Sequence, residues 1–415
     1  MHPYNAVHVA RVPQPLETER LGNVINNYLE GCGLTNLSID TRKGMFHYNG
    51  GPAQHELKVI KGRRDNSALL RSEIEEQLNT SFAVIPSMKP FRFFVIEEDD
   101  AFYLGLVYFH VISGAEPVVF ILKDIVQIYM HRTAVSSSQS LDLYPSTYRH
   151  LAKVDLASMI GWVRTLPPLI SGLRSSFRPR YSDVSDGHIG ISFAFLGSEQ
   201  LGNLVKAGKM WEVTLNDVFI ALLMKSLSRH ASERFHAPRR KNISIASIVN
   251  IRKDFGLDTR KSFGLFLGSF FVSHTVPEGI RIRDLARDIH MQTREVKRHK
   301  LYLRSALEMA LSQVLFPLLS PIRQKKFYPK YYPLFGGITN INLNTLWQQE
   351  TEKRSIDYLR AVSTGPAVPL VFSLTTVGNI LNIGASYKTT VFSRTDIEGV
   401  ISGFSEMVNT LGAEE

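Results

Sequence analysis

The chain has one cysteine, Cys32, in 415 residues. An intramolecular disulfide is therefore excluded, and a lone thiol suits a reducing compartment. No apolar run reaches the roughly 18 residues that a membrane-spanning helix needs. The longest candidate, Ala306 to Ile322, is interrupted by Glu308, Gln313, Pro317 and Pro321. The N-terminus, with His2 and Pro3, has no basic segment leading into an apolar one, so no secretory leader is expected and the protein is expected in the cytoplasm. None of the 13 histidines stands in a His-x-x-x-His or Cys/His pattern, so no metal site is expected. There is no Gly-x-Gly-x-x-Gly or Gly-x-x-x-x-Gly-Lys-Ser/Thr phosphate loop, which disfavours nucleotide-dependent redox and kinase chemistry. A Gly-x-Ser-x-Gly nucleophile elbow is missing as well, and no short repeat or long low-complexity tract interrupts the chain.

What is present is an ordinary globular composition, 44% hydrophobic and 21% charged, in a chain long enough for two cored lobes. The formal charge is +10 and unevenly spread. Arg281, Arg283, Arg287, Arg294, Lys297, Arg298, Lys300 and Arg304 crowd one helical stretch, with Arg323, Lys325, Lys326 and Lys330 close behind. Such a field either belongs to a solvated helix face or draws a polyanion: coenzyme A, an acidic carrier-protein helix, or an anionic membrane touched peripherally through residues 281–330. Nucleic acid is disfavoured, because no zinc spacing, RNA-binding signature or basic zipper accompanies the charge.

The densest chemistry lies at Tyr108-Phe109-His110-Val111-Ile112-Ser113-Gly114-Ala115-Glu116-Pro117. Upstream, Phe102 to Phe109 predicts a buried strand, paired with Phe91–Glu97 across a Glu98-Asp99-Asp100 turn. Downstream, Val118 to Met130 predicts a helix with Pro117 in its first turn. His110 thus sits on a short loop between rigid elements, where an imidazole can serve as a general base near neutral pH or simply satisfy strand-end backbone groups. Elsewhere, Leu16 to Leu29 fits an amphipathic helix, Glu73 to Gln77 a helical piece, and Arg132 to His188 a Ser- and Pro-rich crossover. Thr214 and Asp217 have capping-box spacing for a helix running to about His230. Leu370 to Thr390, with Gly378-Asn379 at its centre, reads as a hairpin, and Ser393 to Asp396 as the start of a last helix.

Tyr108 to Glu116 resembles the His-His-x-x-x-Asp-Gly signature of the coenzyme-A-dependent acyltransferase superfamily, which includes chloramphenicol acetyltransferase and peptide-synthetase condensation domains. The second histidine falls on His110, the first on Phe109, the aspartate on Gly114 and the glycine on Ala115. Further landmarks resemble the family in its order: the Thr214-Leu-Asn-Asp helix, the Ile243 to Arg252 strand ending Val-Asn-Ile-Arg, the Gly-punctuated Phe263 to Phe271 strand, and Leu334 to Asn340 with Thr339 at the family's serine. The resemblance implies an α/β fold of two chloramphenicol-acetyltransferase-like lobes in a pseudo-dimeric V with a tunnel between them. The lobes are expected over 1–165 and 189–415, joined by a 166–188 crossover, with strands near Asn340 bridging back to the first lobe.

By that resemblance no cofactor is bound, and the donor is an acyl-CoA or a 4'-phosphopantetheine thioester on an acyl carrier protein. His110 would take the proton from a hydroxyl or amine acceptor. Thr339 is the candidate hydroxyl for the oxyanion, or else a β-branched residue filling a strand. Asn340 is expected to pin the bridging strand. In relatives the motif aspartate pairs with an arginine that matches Arg252, so Gly114 removes a carboxylate from that pair. Either Glu116 or Asp217 moves in, or Arg252 meets solvent or an anionic ligand, or the loop is loose and activity is lost. Two function classes follow: an acyltransferase, and a catalytically silent relative that binds a carrier protein or an acylated ligand.

Overall fold

Both faces of the Phe102–Phe109 strand are covered, which is why its sequence is apolar almost throughout. The computed structural model describes residues 4–40, 45–52, 54–62, 66–83, 87–133, 141–143, 171–304, 316–320, 323–324, 327, 330–347 and 358–411. The first part of the chain runs β1 (Asn5–Val12), α1 (Thr18–Gly31), β2 (Leu37–Asp40), β3 (Met45–Tyr48), β4 (Leu57–Lys61), α2 (Ser67–Asn79), β5 (Phe91–Glu97), β6 (Phe102–Phe109), α3 (Ala115–His131) and β7 (Asp142–Leu143). The second runs β8 (Ile189–Leu196), α4 (Ser198–Met210), α5 (Leu215–Ser228), β9 (Ile243–Asn250), β10 (Ser262–Phe263), β11 (Leu267–His274), α6 (Ile282–Arg298), β12 (Gly336–Asn342), β13 (Tyr358–Val362), β14 (Leu370–Val377), β15 (Ile380–Lys388) and α7 (Arg394–Thr410).

The fold is mixed α/β in two lobes, each a sheet backed by helices. In the first lobe the sheet order is β13-β1-β6-β5-β4. One face carries α1 and α3, whose Leu21, Ile25, Val118, Leu122 and Ile125 join a core with Ala6, Leu104 and Tyr108. The other face packs Val7, Val9 and Val107 against Leu70, Ile74 and Leu78 of α2. In the second lobe the order is β11-β9-β12-β14-β15-β8, and α4, α5, α6 and α7 cover one face in a single large core. Two capping boxes, Thr214 with Asp217 and Ser393 with Asp396, start α5 and α7 as their spacing predicts.

Three features differ from the sequence expectations. The strand bridge to the first lobe's sheet is not made by β12, which stays between β9 and β14, although Leu343 and Trp347, just past Asn340, do join the first lobe's core. That bridge is made by β13, which pairs antiparallel with β1, Ala10 opposite Tyr358 and Ala6 opposite Val362. Close approach of β13 to the second sheet requires Gly384, since a Cβ there would lie 2.2 Å from the Arg360 carbonyl oxygen. Second, the Phe263 to Phe271 strand is broken: β10 ends at Phe263 and β11 begins at Leu267, with Gly264 at φ +157 between them. Third, the helical piece at Glu73–Gln77 is one part of a 13-residue helix. Most of the crossover, including Ser136 to Ser138 and Pro167-Pro168, lies outside the described residues, as does most of Ala306 to Ile322.

Candidate active site

His110 follows the last residue of β6, and backbone hydrogen bonds tie down its loop. Its N–H donates to the Tyr4 carbonyl (2.6 Å), Ile112 donates to Phe109 (3.0 Å), and Gly114 donates across to Gly264 of the second lobe (3.1 Å). The His110 Nδ1 lies 2.9 Å from the Ser113 carbonyl oxygen. A carbonyl can only accept, so Nδ1 carries the proton and Nε2 keeps its lone pair, the tautomer a base requires. Burial is the largest influence on this imidazole and lowers its pKa, with the Arg360 charge acting the same way and backbone hydrogen bonds opposing. The ring is therefore neutral at physiological pH. Its edge packs against Tyr108, with ring centroids 5.5 Å apart.

Gly114 and Arg252 do face each other. A Cβ on Gly114 would stand 3.6 Å from Arg252 Nη1 and 3.9 Å from Nη2, ordinary contact distances. The Gly114 backbone is extended (φ −76, ψ 175), so nothing in its conformation demands glycine. Arg252 is buried and is held by neutral oxygens: Nη2 donates to Gly264 O at 2.6 Å and Nη1 to Asn250 Oδ1 at 3.4 Å. Its guanidinium also lies 5.0 Å over the Phe266 ring. Asn250 in turn donates through Nδ2 to Glu116 Oε2. Of the two acids weighed as substitutes, Glu116 thus stands behind Arg252 with one amide between them. Asp217 does not, being taken up at the start of α5 by Thr214, His290 and Thr293.

Thr339 is partly buried on β12, beside Ser373 of β14. Its carbonyl accepts from Arg360 Nη2 at 2.9 Å, and among the described residues no hydrogen bond joins its hydroxyl to His110. Asn340 is exposed, one residue further along the same ladder. Four residues that sequence reasoning passed over as functional gather beside His110: His8, Tyr108, Tyr358 and Arg360, all buried. The one signal for His8 was a histidine inside an otherwise apolar strand. The basic stretch is partly neutralised, as Arg281 pairs with Asp284 at 2.7 Å and Lys300 with Asp254 at 3.1 Å. On α6 the exposed face also carries Met291, 61% exposed. A groove of about 830 Å³ between α1 and the C-terminal end of α3 lies at the far end of that helix from His110 and is not part of this site.

No family model matches the chain, and no curated protein matches it. Solved structures do. The first condensation domain of the calcium-dependent antibiotic synthetase, in complex with a substrate analogue, superposes with a TM-score of 0.70 at 14% identity, covering 100% of this chain and 92% of that one. The cyclization-docking bidomain of a peptide synthetase from Sorangium cellulosum gives 0.68 at 13% identity, covering 100% of this chain and 81% of that one. The condensation domain of the monacolin K polyketide synthase gives 0.68 at 10%, covering 100% and 93%. The chain therefore has the fold of these condensation domains. At these identities the likeness defines the class of fold.

Proposed function

We propose that this protein is an acyltransferase that moves an acyl group from coenzyme A, or from the phosphopantetheine of a carrier protein, to a hydroxyl or amine. The observation that carries this reading is the His110 ring, neutral and with Nδ1 committed to Ser113 O, which leaves Nε2 as a proton acceptor. In the reaction, Nε2 takes the proton of the acceptor O–H or N–H as that atom forms a bond to the thioester carbonyl. The carbonyl becomes an oxyanion, for which the Thr339 hydroxyl is the donor in this reading. Collapse breaks the C–S bond, and His110 returns the proton to the leaving thiolate. The two substrates would meet at His110 in a passage between lobes of about 1–165 and 189–415. The basic surface around α6 would seat an acidic carrier protein, in a cytoplasmic setting that suits the single thiol.

The silent-relative reading rests on Gly114. It is disfavoured by the loop's other anchors, the Gly114–Gly264 hydrogen bond and the Glu116–Asn250–Arg252 chain, which hold the loop without an aspartate. The test is thiol release from a panel of acyl-CoAs and acylated carrier proteins with hydroxyl and amine acceptors. Release by the parent that drops roughly 10²–10⁴-fold in His110→Ala is expected. Equal turnover by that variant removes His110 from the role of base, and no release by the parent across the panel favours the silent reading.

A further inference from the structure

Beside His110, where Arg360 of the first sheet reaches the second, lies a buried polar layer that the chemistry assigned to His110 does not use. On the first sheet, His8 stands opposite Arg360, and Ala6 opposite Tyr108, so His8, Tyr108, Tyr358 and Arg360 share one face. His8 Nδ1 is hydrogen-bonded to the Tyr358 hydroxyl, and the His8 ring lies 5.6 Å from that of Tyr108. From the second sheet, Ser373 and Thr375 flank Leu374, whose carbonyl accepts from Arg360 at 3.1 Å while its side chain enters the helix-side core. Five atoms of this layer are buried with no hydrogen-bond partner among the described residues: His8 Nε2, Tyr108 Oη, Arg360 Nε, Ser373 Oγ and Thr375 Oγ1. Buried polar atoms without a protein partner are costly, so five together call for a polar guest or water.

The sign of the guest follows from the charges. Arg360 is buried and, among the described residues, has no carboxylate within ion-pair distance. Its partners are the carbonyls of Thr339 and Leu374. Glu116 acts on it only at a distance, being bonded to Asn250. Burial lowers the guanidinium pKa to about 10, so it stays charged at neutral pH. Tyr108 stays protonated because burial raises its pKa, and His8 stays neutral because burial lowers its own. If Tyr358 donates to His8 Nδ1, Nε2 carries a hydrogen. The layer then offers one cation, an imidazole N–H and hydroxyl donors, with no carboxylate of its own.

We propose that this layer binds a carboxylate carried by one of the two substrates, next to the atom that His110 deprotonates. The inference rests on the acyl-transfer reading for the word substrate, but not for the site itself. Either a dicarboxylic acyl group on the donor or an acid-bearing acceptor would supply the carboxylate.

Binding is measured first, without turnover, by titrating the full chain with succinate and with its neutral diamide. Succinate is expected to bind at least tenfold more tightly, and Tyr108→Phe and Arg360→Gln each to weaken it by tenfold or more, the scale of a lost hydrogen bond to a charged group. Tyr108→Phe removes one oxygen from the interior, so it remains informative where Arg360→Gln does not fold. Thiol release is then compared for succinyl-CoA against butyryl-CoA, and for a hydroxy acid against the matching alcohol, which tells donor from acceptor. Equal affinity for succinate and its diamide, or succinate binding indifferent to both substitutions, overturns the proposal. Selective binding without thiol release upholds the site and counts against the transfer reading instead.

Discussion

Asp217 at the start of α5 and Glu116 at the start of α3 are both carboxyls taken out of water, and their ionisation moves in opposite directions. Burial pushes each pKa up. Around Asp217 that push is overcome by hydrogen bonds from the Thr214 N–H (2.9 Å), the Thr214 hydroxyl (2.6 Å), His290 (2.8 Å) and Thr293 (2.7 Å), and the pKa ends below the ordinary aspartate value. Around Glu116 the Arg252 charge and the Asn250 amide oppose burial without overcoming it, and the pKa ends raised. Four direct donors on the Asp217 carboxylate reverse the sign; one donor on Glu116, with cations a residue removed, does not. The second lobe thus anchors its helix on one saturated carboxylate, whereas the first lobe spreads its anchoring over Gly264, Asn250, Arg252 and Glu116.

The comparison breaks most visibly at Asp217. Asp217→Ala strips four donors of their acceptor in a buried place, and a loss of about 3–5 kcal/mol in unfolding free energy by denaturant titration is expected. A loss below about 1 kcal/mol would mean that water replaces the carboxylate and that saturation is not what matters.

Acid titration separates the two sites by sign. Asp217 has a folded pKa below its unfolded value near 3.9, so its stabilisation is present above about pH 4 and is lost as pH falls through the folded value. Glu116 has a folded pKa above its unfolded value near 4.3, so its contribution is fully present below about pH 4 and declines as pH rises through the folded value. Asp217→Asn should flatten the acid limb of the stability–pH curve. Glu116→Gln, which keeps an acceptor for Asn250, should lessen the decline on the rising side and shift stability by less than about 1.5 kcal/mol at pH 7. Identical curves for parent and both variants would remove the pKa contrast.

Gly114→Asp sharpens the comparison by giving the first lobe a carboxylate beside Arg252. The extended backbone and the 3.6 Å clearance admit it. The expected gain is about 1 kcal/mol, the scale of one net hydrogen bond, with thiol-release activity within about tenfold of the parent. Gly114→Ala should be near neutral in both, and a large loss there would show that the position needs glycine for space. Asn340→Ala, at an exposed ladder position, should change stability by no more than about 0.5 kcal/mol in the same titration.

Much of this was legible before the structure. The β5–β6 hairpin, α1, α3, the capping boxes and the β14–β15 hairpin follow from periodicity and turn chemistry, which act over a few residues. The facing of Gly114 and Arg252 was legible only through the family's pattern, since nothing local brings residues so far apart together. β1 went unread because it is covered on both faces and carries His8, which spoils any alternation. The full length of α2 was obscured because Glu73 and Gln77 are buried in it, Glu73 accepting from both Lys58 and Gln77. Apart from a histidine inside a largely apolar strand, the His8–Tyr358–Arg360 cluster left no mark in sequence, because its members belong to strands whose pairing only the tertiary fold determines.

The place of β13 at the edge of the first sheet also sets a clock. His8 and Tyr358, hydrogen-bonded across that edge, are 350 positions apart. On a ribosome adding about 5–20 residues per second, β1 emerges roughly 20–70 s before its outer partner exists. For that interval one side of the sheet is an open row of peptide groups, able to pair with another nascent chain. Closing so long a loop adds little entropy beyond a shorter one, only about 0.6 kcal/mol per doubling of length, but contacts so far apart in sequence form slowly. The first lobe is therefore begun first but cannot be completed until most of the second has been made, and a chain stopped before Tyr358 leaves β1 exposed.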